Sequence, residues 1–414
     1  MRTIYSLCIL IGSICMHVQS ADIDYKLEKV IEAYELQGLN CANSQYHDPS
    51  LSKVGEFIFE NTILSGNNDT SCSTCHIEKK ARTDGLPISV GVGGNGEGQA
   101  RLSHGHGILV PRNSFTLAGR GFLDYKTYFW DGKVQAQDNK WVSPVGNGKE
   151  LGYHSLLAVA ATLPLLARDE FLGLKNNKES EAYVSEVNSH YHQDKYHALT
   201  KAIRKKLQHP PSEQWNEFAA LLSSVDLKAA HVELSDIGNA IAAFLIDKEN
   251  CIETKWSQFI KGNKQALNNK EKLGAYLFYG KARCATCHSG DLLSDFSFHS
   301  LGVPQGAFGV SILGQDLGRS EISLRASDRF KFKTPSLLKV SETPPYGHNG
   351  MFEKLEDIVM FHLNPLIFLK QYEWADDEVY NYGRVLASRS SSLSFVGMLT
   401  EEEIKQLIAF VKTL

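Results

Sequence analysis

Two short strings carry most of the chemistry in this chain: Cys72-Ser-Thr-Cys75-His76 and Cys284-Ala-Thr-Cys287-His288. In each, two thiols one turn apart match the spacing of a porphyrin's vinyl groups and can form thioethers to them. The histidine next in sequence then lies under the iron as an axial ligand. A zinc site built from four cysteines is the competing chemistry. It fits poorly, because a histidine follows both pairs and the pairs lie far apart. His76 and His288 are therefore read as proximal ligands of two covalently bound haem c groups. What each iron does depends on its other face. A haem with two protein ligands mainly moves electrons, whereas an open face can bind peroxide or oxygen.

The elements that must position these strings follow from apolar spacing. Val54-Gly-Glu-Phe-Ile-Phe59 precedes the first string and Leu273-Gly-Ala-Tyr-Leu-Phe278 the second, each near helical spacing. The chain thus reads as a weak internal duplication in which a helix leads into a haem-binding turn. Between the strings lie two apolar stretches of helical character. One runs from Leu156 to Phe171; the other, Ile237 to Ile246, follows Ser235 and Asp236 as candidate caps. Thr400-Glu-Glu-Glu403 is a capping box, and Ile404, Leu407, Ile408, Val411 and Leu414 form a stripe after it. Leu355, Ile358, Val359 and His362 share one helical face, with Met360 on another. Gly85 to Pro111 and Gly302 to Gly318 read as long loops, and strand signals are sparse. The expected fold is mostly α: two cytochrome c-like haem domains in tandem with long irregular loops. The first spans 21–248, including an N-terminal arm, and the second 249–414.

The 414 residues suffice for two hydrophobic cores. A net charge of −4, with 43% hydrophobic and 22% charged residues, gives no pull toward nucleic acid. No Lys/Arg run suggests a membrane surface. The first twenty residues read as a signal peptide cut after Ser20: Arg2, apolar Ile4 to Met16, then Val18-Gln-Ser20. That run is too short to span a bilayer, so a periplasmic protein with no membrane span is expected. Cys8 and Cys15 would leave with the peptide. Cys41 and Cys251 remain, either as a disulfide or as two separate buried thiols. Gly91-Val-Gly-Gly-Asn-Gly96 satisfies G-x-G-x-x-G, but no strand before it or helix after it is evident, so a dinucleotide site is rejected.

Further motifs follow one another in order: Leu64-Ser-Gly, Thr83-Asp-Gly-Leu-Pro87, Pro111-Arg-Asn-Ser114 and Phe129-Trp-Asp-Gly132 in the first half. Phe332-Lys-Thr-Pro-Ser-Leu337, Pro345-Tyr-Gly-His-Asn-Gly350 and Leu355-Glu-Asp-Ile-Val359 follow in the second. In these the chain, from about residue 45 to its end, resembles the bacterial di-haem cytochrome c peroxidases and their MauG-like relatives. In the reductively activated peroxidases a distal histidine blocks the first iron. The matching position here is Val92, which implies an open first haem. His104 and His106, in the Gly-rich loop, are the side chains that would cap it. The family's acid–base glutamate matches Glu170 in Leu163-Pro-Leu-Leu-Ala-Arg-Asp-Glu170, with Glu150 as the rival. Trp130 matches the tryptophan between the haems. The second haem's sixth ligand falls on His362, implying bis-histidine ligation. A calcium ion between the domains would be held by the Asn113 side chain and the backbone carbonyls of Thr343 and Pro345.

These expectations define one leading function and two alternatives. The leading one is a periplasmic oxidoreductase that reduces hydrogen peroxide at an open N-terminal haem. Electrons would arrive through the bis-His C-terminal haem from a small cytochrome c or another periplasmic protein. The first alternative is MauG-like oxidation of a side chain on a protein substrate. The second is a non-catalytic di-haem electron carrier or redox sensor. The spin state of the first haem separates this last reading from the others.

Overall fold

The computed structural model describes residues 22–104, 107–173, 192–305 and 315–414, apart from positions 373, 375 and 396. The expected signal peptide and His106 lie outside these residues, as does the side chain of His104. Helix supplies most of the regular structure, with little sheet. Helix α1 covers residues 22–33. It is followed by α2 (Ser52–Glu60), α3 (Leu156–Thr162), α4 (Leu234–Glu249), α5 (Asn269–Tyr279), α6 (Leu355–Leu363) and α7 (Glu401–Val411). Two further helices, His192–Gln208 and Glu213–Ser224, pack on each other in the first half.

The internal duplication is a repeated helix crossing. In the first half α2 packs on α4, and in the second α5 packs on α7. Each crossing turns on a glycine at the same place in its repeat. A Cβ on Gly55 would stand 1.9 Å from the Ala240 carbonyl oxygen, and one on Gly274 would stand 2.0 Å from that of Gln406. Only glycine lets the backbones approach so closely. The apolar faces then close over the crossings: Val54, Ile58 and Phe59 against α4, and Phe278 against Phe410 of α7.

The helix ends follow local chemistry. At α7, Thr400 and Glu403 exchange bonds in a capping box. At α4 the cap is Glu233, with Asp236 returning the bond to its backbone, while Ser235 is buried inside the first turn. The helix therefore starts earlier than the Ser235–Asp236 expectation. The Leu156–Phe171 stretch is not one helix. α3 stops before Pro164, which opens a 3-10 turn over Pro164–Leu166, and a wide π turn covers Arg168–Leu172. This break swings Glu170 out of the α3 axis.

Four short antiparallel strands form a meander after the first haem loop: β1 (Thr127–Tyr128), β2 (Val134–Gln137), β3 (Lys140–Ser143) and β4 (Gly146–Asn147). Gln135 pairs with both Thr127 and Val142. Trp130 lies in the β1–β2 connection.

The arm that precedes the first haem string lies on the second half. Lys272 pairs with Asp24 at 2.7 Å, the Tyr34 hydroxyl donates to the Tyr279 carbonyl, and Asp291 accepts the Gly38 N–H. Cys41 and Cys251 are joined by a disulfide. Buried residues of both halves belong to one continuous apolar cluster. Among the described residues, no helix is long and apolar enough to cross a membrane.

Candidate functional site

Each Cys-x-x-Cys-His string opens onto a cavity. The larger cavity holds Cys284, Cys287, His288 and His362, and the smaller holds Cys72, Cys75 and His76. With their open mouths they enclose about 1820 and about 1180 Å³. None of the four cysteines of the strings is engaged in a disulfide.

The imidazoles are prepared as metal ligands. Nδ1 of His76 donates to the Arg82 carbonyl at 2.8 Å, that of His288 to Leu293 at 3.1 Å, and that of His362 to Ile358 at 2.7 Å. Spending Nδ1–H on a carbonyl fixes the tautomer and leaves the Nε2 lone pair for a metal. Burial pushes the pKa of His76 and of His288 down to about 4, and it lowers that of His362. All three stay neutral, as ligation requires. Arg82 and Leu293, which present the accepting carbonyls to the two proximal rings, both have left-handed backbones, φ 59° and 53°. The two haem turns thus share an uncommon conformation.

In the larger cavity the rings of His288 and His362 face each other with centroids 6.5 Å apart. Two metal–nitrogen bonds of about 2 Å, plus half a ring on each side, span roughly 6 Å. The pair therefore fits one iron between them. Leu355, Ile358, Val359 and His362 of α6 all line this cavity, and Met360 does not. Its polar wall includes Asn113, Thr343 and Pro345. Nδ2 of Asn113 donates to the Leu86 carbonyl at 2.7 Å, leaving its oxygen as the atom a cation would meet.

In the smaller cavity His76 is the only imidazole among the described lining residues, and no methionine lines it. Glu170 does line it. Burial raises the Glu170 pKa, Lys133 pulls it back, and Asp169 adds to the rise. The π turn that carries Glu170 is packed tightly against the Gly-rich loop. Val92 N–H bonds the Asp169 carbonyl, and a Cβ on Gly91 would stand 1.9 Å from that oxygen. Val92 itself is buried and is not among the lining residues. Glu150 is elsewhere. It is exposed at the end of the meander and accepts a bond from Asn147 Nδ2 at 2.8 Å. The rival carboxylate is thus a turn residue, because the β3–β4 hairpin directs it away from both cavities.

One wall serves both cavities. Asn113, Ser114, Phe115, Arg120 and Trp130 line the larger and the smaller alike. The Trp130 indole donates to the Asn113 carbonyl at 2.9 Å, and its own carbonyl accepts Lys333 N–H at 2.8 Å. Sequence reasoning did not single out Arg101, Arg112 or Arg120. Arg112 stands inside the Pro111-Arg-Asn-Ser motif. It bonds Asp131 from the first half and Asp316 and Glu321 from the second. Arg101 is buried and donates to the carbonyls of Val90, Gly91 and Gly94 and to Thr70. It fills the loop of the G-x-G-x-x-G string with a side chain that takes up carbonyls. A phosphate cradle needs free N–H groups instead. Cys287, Asp295 and His299 also lie within ligand distance of one another. A thioether at Cys287 would remove its sulfur from such a set.

The sequence of residues 49–265 matches the family model described as di-haem cytochrome c peroxidase. The chain belongs to the di-haem cytochrome c peroxidase family. It is accordingly a peroxidase-type oxidoreductase whose cofactors are two haems, and the residues above fit such groups. Cytochrome-c peroxidase IdrP2 of Denitromonas iodatirespirans is 26% identical over 401 residues, 92% of this chain and 85% of the relative. Methylamine utilization protein MauG of Paracoccus denitrificans is 25% identical over 395 residues, 89% of each chain. Among solved structures, a MauG-like protein associated with microbial copper homeostasis superposes with a TM-score of 0.60 at 22% identity, covering 92% of both chains. The diheme peroxidase BthA from Burkholderia thailandensis gives 0.60 at 20% identity, covering 89% of this chain and 86% of its own. These two likenesses speak to the fold.

Proposed function

We propose that this family member is a periplasmic peroxidase with two thioether-linked haems, which reduces hydrogen peroxide beside His76 and takes in electrons beside His288. The observation that carries this is the asymmetry of the cavities. Among the described residues, one offers two facing imidazoles and the other a single imidazole with a half-buried carboxylate. Cys72 and Cys75 would hold the first haem, and Cys284 and Cys287 the second. When bound, haem supplies an iron that takes peroxide at an open position and accepts or passes on single electrons. Glu170 takes the proton from the near oxygen of peroxide and delivers it to the leaving one. His288 and His362 would together hold the second iron, which suits electron entry. Trp130, on the shared wall, is the side chain through which charge passes between them. Asn113, with the carbonyls of Thr343 and Pro345, would hold a calcium ion beside that wall. The names of the relatives, both peroxidases and MauG, support a redox partner that is either a small cytochrome c or a protein substrate. Val92, which matches the blocking histidine in sequence, cannot ligate iron and lies outside the cavity lining, which supports a first haem ready without reductive activation, as in the MauG-like members.

The test is low-temperature EPR of the purified ferric protein with pyridine-haemochrome quantification, followed by a peroxide titration. One high-spin and one low-spin signal, with two c-type haems and stoichiometric reaction with peroxide, is the expected result. Two low-spin signals and no reaction would make the protein an electron carrier.

A further inference from the structure

The wall shared by the cavities carries an uncompensated charge. Arg120 is 4% exposed and lines both cavities. Its Nε donates to the Thr116 carbonyl at 2.6 Å, and its guanidinium lies 4.0 Å from the ring centre of Phe115 and 5.0 Å from that of Tyr125. Its Nη1 has no hydrogen-bond partner. Lys333 is 3% exposed and lines the larger cavity. Its Nζ donates to the Thr334 carbonyl at 3.2 Å and lies 5.6 Å from the ring centres of Tyr125 and Phe296. The hydroxyl of Tyr125, whose ring both cations approach, is buried without a partner. Among the described residues neither cation makes a salt bridge within 4 Å. Burial and mutual repulsion both disfavour the charge on Lys333, with Asp295 offering partial relief.

Burying two like charges side by side is costly unless an anion joins them. Among the described residues, no carboxylate lies at hydrogen-bond distance. A haem supplies carboxylates, because its propionates lie on the edge of the ring away from the thioether-bearing vinyls. We infer that Arg120 is a shared anchor for propionates of both haems, and that Lys333 adds a second cation on the side of the C-terminal haem. This rests on the reading that both cavities hold haem. A guanidinium is suited to the role, since its planar fork can meet carboxylates on two sides. A fixed cation beside both haems stabilises the reduced form of each, so one residue sets both potentials together.

Spectroelectrochemical titration of the holoprotein tests this with R120L, R120K and K333M. Loss of the cation in R120L lowers both midpoint potentials. R120K, which keeps the charge, holds them near the wild-type values, and K333M lowers that of the C-terminal haem alone. An R120L protein that retains two haems with one or both potentials unmoved overturns the shared anchor. Where R120L fails to accumulate, K333M decides: an unmoved C-terminal potential overturns the proposal. Wild-type potentials that follow added phosphate also overturn it, since the anion would then be exchangeable. A wild-type protein giving no pyridine-haemochrome signal would instead overturn the haem reading itself.

Discussion

In the proposed reaction, Glu170 is the residue on which the chemistry turns. Its carboxylate is useful as a base only when ionised, and burial raises its pKa. The rate of reaction with peroxide should therefore fall as pH drops through a midpoint above the ordinary glutamate value of about 4.3. E170Q should slow the reaction by about 10²- to 10⁴-fold and abolish that acid limb, while leaving the EPR signals of the resting protein intact. A stopped-flow pH series on both proteins checks this, and an unchanged limb in E170Q would assign the proton to another group. His362 makes the second residue-scale prediction. In the proposed site, replacing it by methionine would keep two ligands on the iron but exchange an imidazole for a thioether, which raises haem potentials. H362M should stay low-spin with a higher C-terminal midpoint potential. A new high-spin signal would mean that the methionine does not reach the iron.

At the scale of the element, the two helices that lead into the Cys-x-x-Cys-His strings are placed by Gly55 and Gly274. Each crossing has room for a hydrogen and none for a methyl group. G55A or G274A forces the helices apart, and overpacking of this kind costs about 1–3 kcal/mol. Denaturant melts followed at the Soret band should show a lower midpoint in each variant. A midpoint equal to the wild type would mean the helices shift without penalty. The π turn of Glu170 is held in the same manner, by Gly91 against the Asp169 carbonyl and by the Val92 N–H. The repeat was legible in the sequence because apolar spacing survives in both copies. The break of the Leu156–Phe171 stretch was marked only by Pro164, and the wide turn beyond it has no sequence signature of its own.

For the whole molecule, what matters is how the halves are joined. Arg112 gathers Asp131 from one side and Asp316 and Glu321 from the other. Burial opposes the charge on Asp316, but the hydrogen-bonded Arg112 guanidinium outweighs it and holds the pKa below the usual value. A depressed carboxylate contributes stability that is present above its unfolded pKa of about 3.9 and is lost as pH falls through the folded value. D316N should therefore lower stability at pH 7 and flatten the acid end of the stability profile below about pH 4. Thermal melts across pH test this; a parallel profile would exclude Asp316 as the titrating group. The Cys41–Cys251 disulfide fastens the N-terminal arm at the start of the second half. Removing it as a double serine variant should cost about 2–5 kcal/mol, seen as an earlier unfolding transition.

The sequence by itself pointed to the attachment chemistry, and it determined the repeated helices and the helical face that carries His362. These rest on residues a few positions apart, where covalent spacing and helix period dictate geometry. It left Glu170 and Glu150 as rivals, and Cys41 and Cys251 as a bridge or two thiols. It gave no sign that Arg120 and Lys333 both approach the Tyr125 ring. Those questions join residues distant in the chain, and packing settles such contacts where no local pattern can. The structure turned Glu150 outward on a hairpin, broke the helix that carries Glu170, and laid the N-terminal arm across the second half. It also brought Asn113, Phe115, Arg120 and Trp130 into one wall between two cavities, because the apolar faces of both halves close into a single core.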